Sequence, residues 1–158
     1  YIEQHELYQQ FKLDEPWDSP HNILLLERMP RTYAPFDGSS PPRPFTTFYR
    51  VFTGKGTAFE GRRGLHLDAD FPAGTADTIL IVEAGEAVPW TKPEDVAFDP
   101  AAPLACLGQP YGPGFHYVRP DGASLQLKRT LPPDLFKALV TPAGNEEIPR
   151  ELAYYGRR

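Results

Sequence analysis

Gly114-Phe115-His116-Tyr117-Val118-Arg119-Pro120-Asp121-Gly122-Ala123-Ser124-Leu125-Gln126-Leu127-Lys128-Arg129 is the stretch that decides the fold class. Phe115 and Tyr117 alternate with His116 and Val118, and Leu125 and Leu127 alternate with Ser124, Gln126 and Lys128. That two-residue period belongs to a strand with one buried face. Between the two runs stands Pro120-Asp121-Gly122. Proline presets its own φ, aspartate tolerates the next position, and glycine can take positive φ. The stretch therefore predicts a β-hairpin.

Outward from the hairpin, Pro132-Pro133-Asp134 opens a short helix through about Thr141, with Leu135, Phe136 and Leu139 facing inward and Pro142 closing it. On the other side, Thr78 to Glu83 is an unbroken apolar run with β-branched members and reads as a buried strand. Thr46 to Thr53 is rich in aromatic and β-branched residues and predicts another strand, broken at Gly54-Lys55-Gly56. Pro35 to Pro44 reads as an exposed linker. Before it, Leu7 and Phe11 sit four apart, which suits a short amphipathic helix in Tyr1 to Lys12 that ends ahead of Pro16. A second short helix is expected over Ile23 to Met29, capped by Asp18 or Ser19 with Pro20 in its first turn and stopped by Pro30. The tail from Asn145 to Arg158 has no clear period. The expected fold class is α+β: a head with a small antiparallel sheet, short helices and long proline-rich loops. Residues 1–45 form the helical segment and linker, 46–145 the sheet head with its C-terminal helix, and 146–158 a tail.

Composition narrows the function. The chain has 158 residues, enough for one domain with a real core. It carries 19 prolines and 13 glycines, which argues against long helices or a regular barrel. A net charge of −5 disfavours nucleic acid as the main partner. Asp68, Asp70, Asp77, Glu83, Glu86, Glu94, Asp95 and Asp99 face a single base, Lys92, in that segment. Such a run is first a solvated acidic face and second a hard-cation site. Cys106 is the only cysteine, so no internal disulfide forms. The longest apolar runs, Ile23 to Leu26 and Ile79 to Val82, fall far short of the ~20 residues of a membrane span. The abrupt start at Tyr1 carries the expectation of an upstream piece.

Motifs of catalysis are sparse. His5, His21, His66, His116 and Cys106 are too scattered for a zinc site, and His116 reads as a sheet-surface residue. Gly54-Lys55-Gly56 is too short for a phosphate-binding loop, and no Gly-x-Ser-x-Gly elbow occurs. Glu83 and Glu86, with Trp90 just beyond, are the one pair that a glycosidase mechanism could use. Trp17 and Trp90 could stack a sugar, though core packing suits either better.

Several phrases read together resemble one bacterial family. They are Tyr1-Ile2-Glu3-Gln4 with Leu7-Tyr8 and Phe11, then Glu15 to Asn22, then Tyr49-Arg50-Val51 through Phe59. Thr78 to Ala84, the phrase Val88-Pro89-Trp90-Thr91-Lys92-Pro93-Glu94-Asp95, Gly114-Phe115-His116 and Asp121-Gly122 follow in order. In this the chain is similar to the prepilin-type processing-associated domain family of pseudopilin-like surface proteins, from about Tyr1 to Glu147. The resemblance implies a pseudopilin-like head outside the cytoplasmic membrane, at the cell surface or in the periplasm. It implies a type IV prepilin signal and a hydrophobic helix upstream of Tyr1, which would be the only link to a membrane. Partners would be like subunits or other pilin-type proteins, with a role in a filament or secretion apparatus, and no transferable enzyme activity. Two departures matter. The family's His, separated by nine residues from an Asp-Gly, falls on Tyr111. Its Asp-Gly-Thr-Ser-Asn-Thr phrase stands here as Ala73-Gly74-Thr75-Ala76-Asp77-Thr78. That loss of oxygen ligands weakens a calcium site at Asp77 and Asp121, and no other cofactor is expected.

The leading expectation is thus a non-catalytic structural or assembly domain. The alternative is a carbohydrate- or solute-binding module using Trp90, Tyr111 and Phe115, and a hydrolase using Glu83 and Glu86 ranks third.

Overall fold

The computed structural model describes residues 2–35, 43–61, 64–72, 74–107 and 114–143. The class is α+β, with a four-stranded antiparallel sheet and a few short helices. Strands β1 (Thr46–Arg50), β3 (Ile81–Pro89), β5 (Gly114–Val118) and β6 (Ser124–Lys128) lie in the order β1-β3-β5-β6. Strands β2 (Phe52–Thr53) and β4 (Val96–Ala97) form a separate parallel pair. Helices α1 (His5–Tyr8) and α2 (Pro133–Val140) are joined by 3₁₀ turns at Asn22–Arg28, Arg31–Tyr33 and Ala105–Leu107. The chain divides into two compact units, unit 1 of Tyr1–Phe48 with Glu86–Glu94, and unit 2 of Tyr49–Gly85 with Asp95–Arg158. This division differs from a cut at residue 45, because the segment after Gly85 joins the N-terminal unit.

Unit 2 holds the core. The hairpin forms as its alternation dictates, with Phe115 opposite Leu127 and Tyr117 opposite Leu125. Gly122 has φ +84 and donates its N–H to Arg119 O at 2.9 Å, and Arg119 N–H reaches Ala123 O at 3.0 Å. That is a three-residue loop closed by a left-handed glycine, the geometry Pro120-Asp121-Gly122 is suited to make. Phe115 and Phe136 are fully buried and meet edge to face at 5.8 Å, and Phe136 meets Phe52 the same way at 5.7 Å. Helix α2 has Pro133 in its first turn and buries Phe136, Leu139 and Val140, with Leu135 half-buried against the same core. Leu139 O then accepts Ile79 N–H at 2.7 Å, which ties the end of α2 to the approach of β3.

Two strand expectations need correction. The run Thr46 to Thr53 is two strands, because at Val51 the chain leaves the large sheet and Val51 O accepts Val96 N–H at 3.0 Å. The buried strand starts at Ile81 rather than Thr78 and runs on to Pro89, passing Gly85 at φ +65. Residues Thr78 and Ile79 are buried, but Ile79 bonds to the helix end instead of a neighbouring strand.

In unit 1, α1 is one turn rather than most of Tyr1 to Lys12, since Gln10 and Phe11 donate to the third residue back and unwind it. The second helix is 3₁₀ in kind and ends ahead of Pro30. Ser19 does cap its approach, accepting Asn22 N–H on Oγ at 3.0 Å. Asn22 is 2% exposed and pins the preceding loop. Its Oδ1 accepts Lys12 N–H at 3.0 Å, and its Nδ2 donates to Lys12 O and Pro16 O, each at 2.9 Å. Most of the linker Pro35 to Pro44 and the whole tail lie outside the described residues.

Candidate functional site

Two neighbourhoods concentrate polar or aromatic chemistry, one in each unit. In unit 2, β3 and β5 pair with Ile81 opposite Val118 and Val82 opposite Tyr117. One step further on each strand stand Glu83 and His116. There the side chain takes over from the ladder: Glu83 Oε2 accepts His116 N–H at 2.9 Å and lies 2.7 Å from His116 Nδ1. With an ionised carboxylate as acceptor, Nδ1 carries the proton. Glu83 is 1% exposed, so these bonds are made in a region of low dielectric and are strong. Its Oε1 has no hydrogen-bond partner among the described residues.

Arg129 lies close enough to Glu83 to feel its charge. Burial pulls the Arg129 guanidinium below its ordinary pKa while the charge of Glu83 acts the other way, and Arg129 Nη2 donates to Leu107 O at 3.3 Å. A Cβ on Gly85 would stand 3.6 Å from both the Arg50 guanidinium and Cys106 O. A carboxylate-bound imidazole is an arrangement that can orient a general base. The Cys106 thiol is a poor nucleophile. Burial pushes Cys106 up to about 11, and its Sγ–H is spent on Pro103 O at 3.2 Å.

The structure separates the two carboxylates that sequence placed together. Glu83 is buried in unit 2, whereas Glu86 is exposed and belongs to unit 1. The other members of the acidic run are exposed or half-buried, as a solvated face requires.

At the hairpin tip, Asp121 is engaged by Arg119, whose Nε and Nη2 donate to Oδ1 at 3.1 Å and Oδ2 at 2.6 Å. Ala123 N–H also donates to Oδ1, at 3.0 Å. The Ala123 N–H and the Arg119 fork hold the Asp121 carboxyl below the usual aspartate range. Asp77 is half-buried, and Arg119 Nη1 reaches the neighbouring Ala76 O at 3.2 Å. Among the described residues no three of His, Cys, Asp and Glu converge on a point that could hold a metal ion.

In unit 1, Trp90 is the hub. Its indole Nε1–H donates to Leu26 O at 2.8 Å and its backbone N–H to Phe45 O at 3.1 Å. Phe11 meets its ring edge to face at 5.8 Å, and Tyr33 lies tilted by 36° at 5.2 Å. A groove of about 520 Å³ opens beside these rings, lined also by the first described residues and by Pro30.

Of the described members of the aromatic trio expected to bind a ligand, Trp90 lines a groove. Phe115 has no exposed surface and packs the core of unit 2, and Tyr111 lies outside the described residues. Trp17 is half-buried in unit 1. His116, read as a sheet-surface residue, is the partner of Glu83 instead. The pairing follows from the cross-strand register, which places Glu83 one step beyond the Val82–Tyr117 pair and which no sequence signal carries. The chain matches no protein-family model, no curated protein and no solved structure. The family resemblance therefore stands on the quoted phrases alone.

Proposed function

We propose that this chain is a non-catalytic structural head, displayed outside the cytoplasmic membrane, that packs on like subunits in the manner of a pseudopilin. The observation that carries the reading is the exposure of large apolar side chains in unit 1: Ile2 at 41%, Tyr8 at 59%, Leu13 at 70% and Leu24 at 72%. In unit 2 only Leu67 is comparable among the described residues. A lone exposed leucine needs no explanation, but several in one small unit are what a subunit contact would cover. The ordered phrases from Tyr1 to Asp121-Gly122 support the same reading, as does the small antiparallel sheet. So does Glu83, whose Oε2 serves the sheet by holding His116 N–H.

Site-directed crosslinking tests the proposal. In a Cys106→Ser background, Leu24→Cys is expected to give disulfide-linked dimers under mild oxidation. Leu67→Cys, also solvent-facing at 56% but in unit 2, is expected to stay monomeric. Equal crosslinking at both positions, or none at Leu24, would remove unit 1 as the assembly surface.

A further inference from the structure

We propose that the groove of unit 1 binds a small organic cation, a trimethylammonium-type head on a short aliphatic body. This goes beyond the assembly reading, whose contact is carried by Leu13 and Leu24 outside the groove, and stands without it. The lining includes four aromatic rings, Tyr8, Phe11, Tyr33 and Trp90. Their faces carry the negative lobe of the ring quadrupole, which attracts a cation that is too apolar to hold its water. Among the described residues Glu3 is the one carboxylate of the lining, and no lysine or arginine belongs to it. His5 also belongs to the lining, so the pull on a cation comes from the four rings and Glu3.

Three of these rings are also packed together in advance. Trp90 is fixed by its bond to Leu26 O and by Phe11 and Tyr33, so little side-chain freedom is left to lose on binding. At about 520 Å³ the groove lies within the range of small-molecule sites.

Titration with choline, read by the indole N–H signals of the two tryptophans, tests this inference. Trp90 is expected to shift saturably while Trp17, which does not line the groove, stays still. The uncharged carbon isostere, 3,3-dimethylbutan-1-ol, is expected to bind about tenfold more weakly or worse. Glu3→Gln should weaken choline roughly threefold. Tyr8→Ala, at a position 59% exposed and so safe for folding, should weaken it about fivefold. Equal affinity for choline and its isostere, equal shifts at both tryptophans, or no saturable shift would each overturn the assignment.

Discussion

Replacing Glu83 is the sharpest perturbation of the sheet. Glu83→Ala removes the acceptor of two hydrogen bonds, from His116 N–H at 2.9 Å and Nδ1 at 2.7 Å, at a site 1% exposed. Each bond to a carboxylate acceptor is worth about 1.5–3 kcal/mol, and Glu83 Oε2 accepts two of them. A loss of about 3–5 kcal/mol is therefore expected. Urea unfolding followed by circular dichroism reads it directly. With a slope of about 2 kcal/mol per molar urea, the midpoint should fall by roughly 1.5–2.5 M. Glu83→Gln keeps an amide oxygen that can accept His116 N–H, so its loss should be about half as large. A midpoint shift below roughly 0.5 M for the alanine variant would refute the claim that this carboxylate closes the β3–β5 ladder. Equal damage from glutamine and alanine would refute the assigned role of the amide oxygen.

Other perturbations separate different kinds of constraint. A Cβ on Gly114 would stand 3.0 Å from Leu127 O and 3.0 Å from Gln126 Nε2, whereas one on Gly122 meets nothing within 4 Å. Gly114→Ala should therefore cost about 1–3 kcal/mol through crowding of the hairpin backbone. Gly122→Ala should cost about 1–2 kcal/mol from its φ of +84 alone, with the hairpin's packing unchanged by NMR. Asn22→Asp puts a carboxylate where Nδ2 now donates to Lys12 O and Pro16 O, and should cost about 2–4 kcal/mol. Asn22→Ala also removes the Oδ1 that accepts Lys12 N–H, so hydrogen exchange at the Lys12 amide should accelerate in that variant, and an unchanged rate would contradict the pinning role of Asn22. Asp121 has its pKa lowered on folding, so its contribution is present above the unfolded aspartate range and lost as pH falls through the folded value. Because the residue is exposed, Asp121→Asn should lose less than about 1 kcal/mol at neutral pH. The gap from wild type should close in acid, as read from urea midpoints across pH.

What sequence alone made legible was local. The hairpin Gly114 to Arg129 announces both its strands and its turn within a few residues, and α2 is bracketed by Pro133 and Pro142. Strand β4 was invisible because two residues, Val96 and Ala97, carry no period, and their pairing with Phe52 and Thr53 is remote in sequence. The Glu83–His116 contact spans strands separated by 33 positions and depends on register that no periodicity encodes. Trp90 was recognisable as a candidate, but its partners Phe11 and Tyr33 come from a distant stretch, so the groove could not be assembled from spacing. Gly85 hid the division of β3, since its φ of +65 falls within a run that otherwise reads as continuous strand.

The assembly claim rests on apolar side chains of unit 1 that face solvent. Sedimentation equilibrium of the wild-type chain, beside a Leu13→Glu/Leu24→Glu double variant, addresses it most directly. Covering each leucine is worth about 1.5–3 kcal/mol, so the wild type should self-associate as concentration rises and the double variant should remain monomeric while folding normally. A wild type that stays monomeric throughout, or a double variant that associates just as strongly, would contradict the account.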